Sequence, residues 1–146
     1  MIGQTIQLAL APVFVLVAIG NILNILSTRL GRVVDRARTL QELHNLTEGD
    51  AHDMVVREIR VVDQRIVIIT HAIRLMVISG LTIGITVGVL FVQGIFDVDL
   101  HVLAAVTFLV SVVLLLAALV MFLHETQVAA ASLRIPRDYL ELDRKI

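Results

Sequence analysis

Three uninterrupted apolar stretches, roughly Thr5 to Thr28, Ile73 to Ile95 and Val102 to Leu123, constrain this chain more than any other feature. A helix that crosses a bilayer needs about 20 mostly apolar residues. It must be a helix because lipid offers no partner to a backbone amide or carbonyl. The 58% hydrophobic content and mean hydropathy of +0.91 sit well above those of an ordinary soluble domain. What remains of the 146 residues is one polar insert, one short loop and a C-terminal tail. No second globular domain has room to form. The expected architecture is an all-α membrane protein with a single membrane domain. Span 1 is placed at about 5–28, an insert at about 29–72, span 2 at about 73–95, an outward loop at 96–101, span 3 at about 102–123 and a tail at 124–146.

Charge placement sets the expected orientation. All twelve Lys and Arg lie in two regions. Eight arginines fall at and around the insert (Arg29, Arg32, Arg36, Arg38, Arg57, Arg60, Arg65, Arg74), and Arg134, Arg137, Arg144 and Lys145 lie in the tail. By the positive-inside rule the insert and C-terminus are cytoplasmic, and the N-terminus and the 96–101 loop face outward. The N-terminus lacks the basic segment of a cleavable signal, so its apolar stretch reads as a retained span. The net charge of −1 gives no overall pull toward nucleic acid or anionic lipid, although the charges are placed far from uniformly, and the absence of cysteine rules out disulfides and thiolate metal sites.

The apolar spacing of span 1 does not stop at the membrane. Leu23, Leu26, Leu30, Val33, Ala37 and Leu40 alternate steps of 3 and 4, which is a heptad seam, and predict one helix through about His44. Asn45 to Asp50 reads as a turn, with Gly49 suited to positive φ. Val55, Ile59, Val62, Ile66, Ile69 and Ile73 then repeat the seam into span 2. Two seams joined by a turn predict a cytoplasmic antiparallel coiled-coil hairpin. Folding it about residue 48 sets Leu40 by Val55 and Leu30 by Ile66, and puts Arg36 opposite Glu58. The segment Arg32-Val33-Val34-Asp35-Arg36 is echoed by Arg60-Val61-Val62-Asp63-Gln64-Arg65. Its charges, Asp35, Arg60 and Asp63 among them, either support an exposed helix or dock neighbouring subunits; both alternatives stay open.

Other constellations lie within the spans. Gly80, Gly84 and Gly88 form a small-residue ridge that permits close helix packing, against another span or another subunit. Asn21, Asn24, Thr28, Arg32, Asp35, Arg36, Thr39 and Glu42 cluster within about 60° of one direction on the first helix. This polar stripe begins at membrane depth, where amides must face protein or water. It either bonds neighbouring helices or lines a hydrated path with Arg32 and Arg36 at its inner mouth. Asp97, Asp99 and His101 offer too few ligands in one chain for a closed metal site, which several copies around an axis could make, and otherwise fit a solvated loop that caps the third helix. His71, Arg74, His124 and Glu125 are expected near one level, with Arg74 pairing Glu125 and a histidine pH sensor as a minor alternative. Pro12 is expected to set the outer end of span 1 or kink it. Span 3, nearly pure aliphatic, is expected to face lipid.

The run Leu26-Ser27-Thr28-Arg29-Leu30-Gly31-Arg32-Val33-Val34-Asp35-Arg36-Ala37-Arg38, closing a span that carries Pro12, resembles a bacterial membrane family catalogued as domain of unknown function 2721. The resemblance implies a bacterial inner-membrane location and carries no activity. No phosphate loop, activated nucleophile or intramembrane carboxylate pair points to an enzyme, and no cofactor is implied. Partners are the lipid bilayer, further copies of the chain and a cytoplasmic protein. Two functions fit: a homo-oligomeric ion or small-solute channel lined by span 1, or a scaffold whose hairpin docks a partner.

Overall fold

The computed structural model describes residues 2–132, without the side chains of Ile2, Gln4 and Ser132; the basic tail residues Arg134, Arg137, Arg144 and Lys145, and Pro136, lie outside the described residues. It contains three helices and, among those residues, no strand: α1 (Ile2–His44), α2 (Asp50–Phe96) and α3 (His101–Ser132). Each is long and apolar enough to span a membrane. At 1.5 Å per residue the 43 residues of α1 and the 47 of α2 run to roughly 65 and 70 Å.

α1 begins at Ile2 and runs through Pro12, so the proline sits inside the helix and does not set its start. The missing N–H removes one helical bond there, and the helix continues on both sides of it. α1 ends at His44. Its last carbonyls are satisfied by Asn45 N–H to Glu42 O (3.3 Å), Leu46 N–H to Leu43 O (3.0 Å) and Thr47 Oγ1 to Leu43 O (2.9 Å). Gly49, at φ 64° and ψ −140°, takes a positive-φ conformation that glycine adopts readily where the chain reverses, and its carbonyl accepts from Asp53 N–H at 3.2 Å.

α2 is the centre of the molecule: α1 and α3 each pack along it and touch one another little. Buried residues of α1 that face it recur every seven positions, Ile19, Leu26, Val33 and Leu40. Those of α2 that answer do the same, Val62, Ile69, Met76 and Ile83. The Arg36–Glu58 pair (2.7 Å) marks the register near the turn. His44 and His52 form the last layer of this contact, with ring centroids 4.4 Å apart.

A second row on α2, Ala72, Ser79 and Thr86, faces α3. It meets Ala104, Ser111, Ala118 and Glu125, again seven apart and all buried. Small side chains on both sides let these backbones come close. Ser79 Oγ donates to Ser111 O at 2.8 Å and Ser111 Oγ to Ser79 O at 3.1 Å, while Thr86 Oγ1 bonds Thr107 Oγ1 at 2.9 Å. Ser111→Leu is therefore expected to cost about 2 to 4 kcal/mol, by overpacking a closed contact and removing the bonds its hydroxyl makes to Ser79. Val113→Leu on the exposed face should stay within about 0.5 kcal/mol. Thermal melts in detergent distinguish the two.

The close packing of α2 against α3 is thus built on these small side chains and not on the glycine ridge. Gly80 faces Leu16 and Ile19 of α1, with an added Cβ 3.7 Å from each, but Gly84 and Gly88 have nothing within 4 Å and are exposed.

Candidate functional site

Two polar features occur on an otherwise apolar bundle, and the helix registers place them. α3 carries no charge from 102 to 123, a window about 33 Å long. Where it ends, one charged residue from each helix converges. Glu125 is fully buried. Arg65 of α2 brings Nε to 3.0 Å and Nη2 to 2.9 Å from its Oε1, and Arg29 of α1 brings Nη1 to 3.1 Å from Oε2. Arg29 also donates to Thr126 Oγ1 at 3.0 Å and lies over the Phe122 ring, 5.1 Å from its centroid. This cluster ties both α1 and α2 to α3.

The expected pairing of Arg74 with Glu125 is overturned by this geometry. Ser79 faces Ser111, and fourteen residues further along each helix Arg65 faces Glu125. The same register sets Arg74, five residues from Ser79, opposite Leu116 and about 14 Å from the level of Glu125. Arg74 and His71 are exposed on the opposite side of α2. His71 Nδ1 contacts the Val67 carbonyl at 2.8 Å. Among the described residues Arg74 has no ion pair.

The second feature is the polar stripe. Asn21, Asn24, Thr28, Arg32, Asp35, Arg36, Thr39 and Glu42 are all exposed; Arg36, at the edge of the stripe, reaches across to α2, and the others lie on the side of α1 turned away from it. Thr28 Oγ1 donates to Asn24 O at 2.9 Å and Thr39 Oγ1 to Asp35 O at 3.2 Å, which hides their hydroxyls and leaves the asparagine amides outward. Arg36 Nε reaches Glu58 Oε1 at 2.7 Å across the turn-proximal end. Interpolating between Arg36–Glu58 and Gly80 against Leu16 and Ile19 puts Arg74 level with residues 20 to 25 of α1. Asn21 and Asn24 lie in that stretch.

Asp35, Arg60 and Asp63 are exposed and enter no ion pair among the described residues. Arg65, at the end of the echoed segment, departs from the outward-facing reading: it turns inward to Glu125. Between α1 and α2, away from α3, Gly20, Gly80 and Gly84 line an open groove of about 500 Å³. At the other end, Thr5, Gln93, Asp97, Asp99 and His101 border a cavity of about 380 Å³. There Asp99 Oδ1 accepts from His101 N–H at 3.3 Å and caps α3, and Gln93 Nε2 is 3.0 Å from the His101 ring. Gly94 admits Thr5 so closely that an added Cβ would lie 2.5 Å from its Oγ1. No group of three metal-ligating side chains assembles among the described residues.

A family described as protein of unknown function (DUF2721) matches residues 9–135. No curated protein and no solved structure matches the chain.

Proposed function

The chain belongs to the DUF2721 family, whose function is unknown, and we propose that it is a non-enzymatic, self-assembling protein of the bacterial inner membrane that conducts ions or small solutes along α1. In this reading the N-terminus is outside, α1 and α2 extend into the cytoplasm as an antiparallel coiled-coil hairpin, and α3 faces lipid.

The observation that carries the reading is the position of Asn21 and Asn24. Both are exposed on the side of α1 opposite α2, at levels where α3 presents only aliphatic side chains. An amide in hydrocarbon is costly, so this face needs water or another protein surface. The outer face of α3, by contrast, carries Val106, Leu109, Val113, Leu116 and Val120, each more than half exposed and each at ease in lipid. Opposite requirements on the two outer helices support an assembly with α1 inward and α3 outward. Arg74, exposed at the level of the asparagines, adds a second group that lipid does not suit. Arg32 at the inner end of the stripe would raise the local anion concentration.

The test is the particle mass in detergent, followed by electron microscopy and conductance recording in planar bilayers. A ring with α1 on a hydrated axis and a measurable conductance supports the proposal; a monomer removes it. Gly84→Leu probes the assembly separately. Nothing in the chain lies within 4 Å of that Cβ, so the protomer is expected to keep its melting temperature while the particle mass falls. An unchanged mass would take the glycine ridge out of the interface.

One observation favours the alternative, a scaffold that docks a cytoplasmic partner. Leu46 (81% exposed), Met54 (62%) and Leu43 (37%) form an apolar surface at the hairpin tip, remote from the spans.

A further inference from the structure

We propose that Arg29 and Arg65 together bind the phosphate of an anionic phospholipid. The inference rests on the reading that the three helices cross a membrane. It starts from a charge imbalance: two guanidinium groups converge on one buried carboxylate, so the cluster has a surplus of one positive charge. The side chains of Arg29 and Arg65 are 29% and 21% exposed, which desolvates them in part and leaves one edge of each reachable from outside.

The hydrogen bonds show which edges those are. Arg29 Nη1 donates to Thr126 Oγ1 and makes an ion-pair contact of 3.1 Å with Glu125 Oε2, an oxygen with no hydrogen-bond partner among the described residues; Arg65 Nε donates to Glu125 Oε1, with Nη2 2.9 Å from the same oxygen. Arg29 Nε and Nη2 and Arg65 Nη1 have no acceptor among the described residues. Phe122 beneath the Arg29 guanidinium and Thr126 at its tip hold that side chain in place. The free N–H groups of an arginine match two phosphate oxygens at once, which a carboxylate-occupied lysine would not.

Depth selects the source of the phosphate. The cluster sits where the uncharged run of α3 ends at Leu123, the level at which headgroup phosphates meet the hydrocarbon. Basic pockets between spanning helices at this level take anionic headgroups. Arg32, exposed one turn further along α1, adds to the field. A zwitterionic lipid brings its own ammonium group and neutralises nothing, so the surplus charge favours a lipid of net negative charge.

The experiment is native mass spectrometry of the full chain in detergent with phosphatidylglycerol, phosphatidylcholine or inorganic phosphate, alongside flotation with phosphatidylcholine vesicles. Wild type is expected to float and to retain phosphatidylglycerol over phosphatidylcholine. Arg29→Gln and Arg65→Gln should each lower that retention roughly tenfold, while Arg57→Gln, at an exposed hairpin arginine, leaves it unchanged. Arg29→Lys, which keeps the charge and protects the fold, should give an intermediate loss. Equal retention of both lipids, an equal loss in Arg57→Gln, or displacement of phosphatidylglycerol by millimolar phosphate would overturn the proposal. A chain that fails to float would instead overturn the membrane reading beneath it.

Discussion

Replacing Glu125 with alanine is expected to destabilise the folded chain by about 3 to 5 kcal/mol, because it removes the one carboxylate that two half-desolvated arginines share. Glu125 is fully buried, and Arg29 and Arg65 reach it from different helices. Without it both cations remain in a poor solvent, and α1 loses its ion pair to α3. The comparison is Glu58→Ala. Its partner Arg36 is equally close at 2.7 Å, but the two side chains are 50% and 44% exposed, and a pair of that kind contributes about 0.2 to 1 kcal/mol. Thermal melts of the two variants in one detergent decide the matter. If Glu125→Ala melts no lower than Glu58→Ala, the buried cluster does not hold the bundle together. Arg65→Ala should fall between them, since it leaves Glu125 one cation and is itself solvated in the unfolded chain.

Local periodicity made much of the helical framework legible. The steps of 3 and 4 through Leu40 place α1 beyond its apolar stretch, and α1 does end at His44. Folding about residue 48 puts Arg36 by Glu58, where the ion pair is found. That seam stops one layer short, because His44 and His52 continue its spacing as polar residues and are passed over by an apolar pattern. The α3 contact was hidden for the opposite reason. Ala104, Ser111, Ala118 and Glu125 keep a seven-residue spacing, but they stand in a helix so aliphatic that no face stands out. The partner of Glu125 depends on the α2–α3 register, which is set by the Ser79–Ser111 contact and the loop between the helices. Counting from the ends of the apolar runs gives Arg74 instead, nine residues away. The glycine ridge marks a face able to pack closely but does not name what covers it, and Gly84 and Gly88 meet nothing of their own chain.

The exposed asparagines bring the argument from packing to function. In a chain of this kind each outward face must suit its surroundings, and the α3 face and the α1 face make incompatible demands. Asn21→Leu combined with Asn24→Leu removes the conflict at the levels where α3 is purely aliphatic. If the stripe lines a hydrated path, the double variant should keep its particle mass and melting temperature and lose roughly tenfold or more of its conductance, because an apolar ring at a constriction expels water. The melting temperature should hold because neither side chain packs against its own chain. If instead the amides bond a neighbouring subunit, the particle mass falls and conductance disappears with the assembly. Conductance equal to wild type at unchanged mass would remove α1 as a path. The asparagines would then serve neither a path nor a subunit interface, and the exposed Leu46 and Met54 at the hairpin tip would become the place to look for a partner.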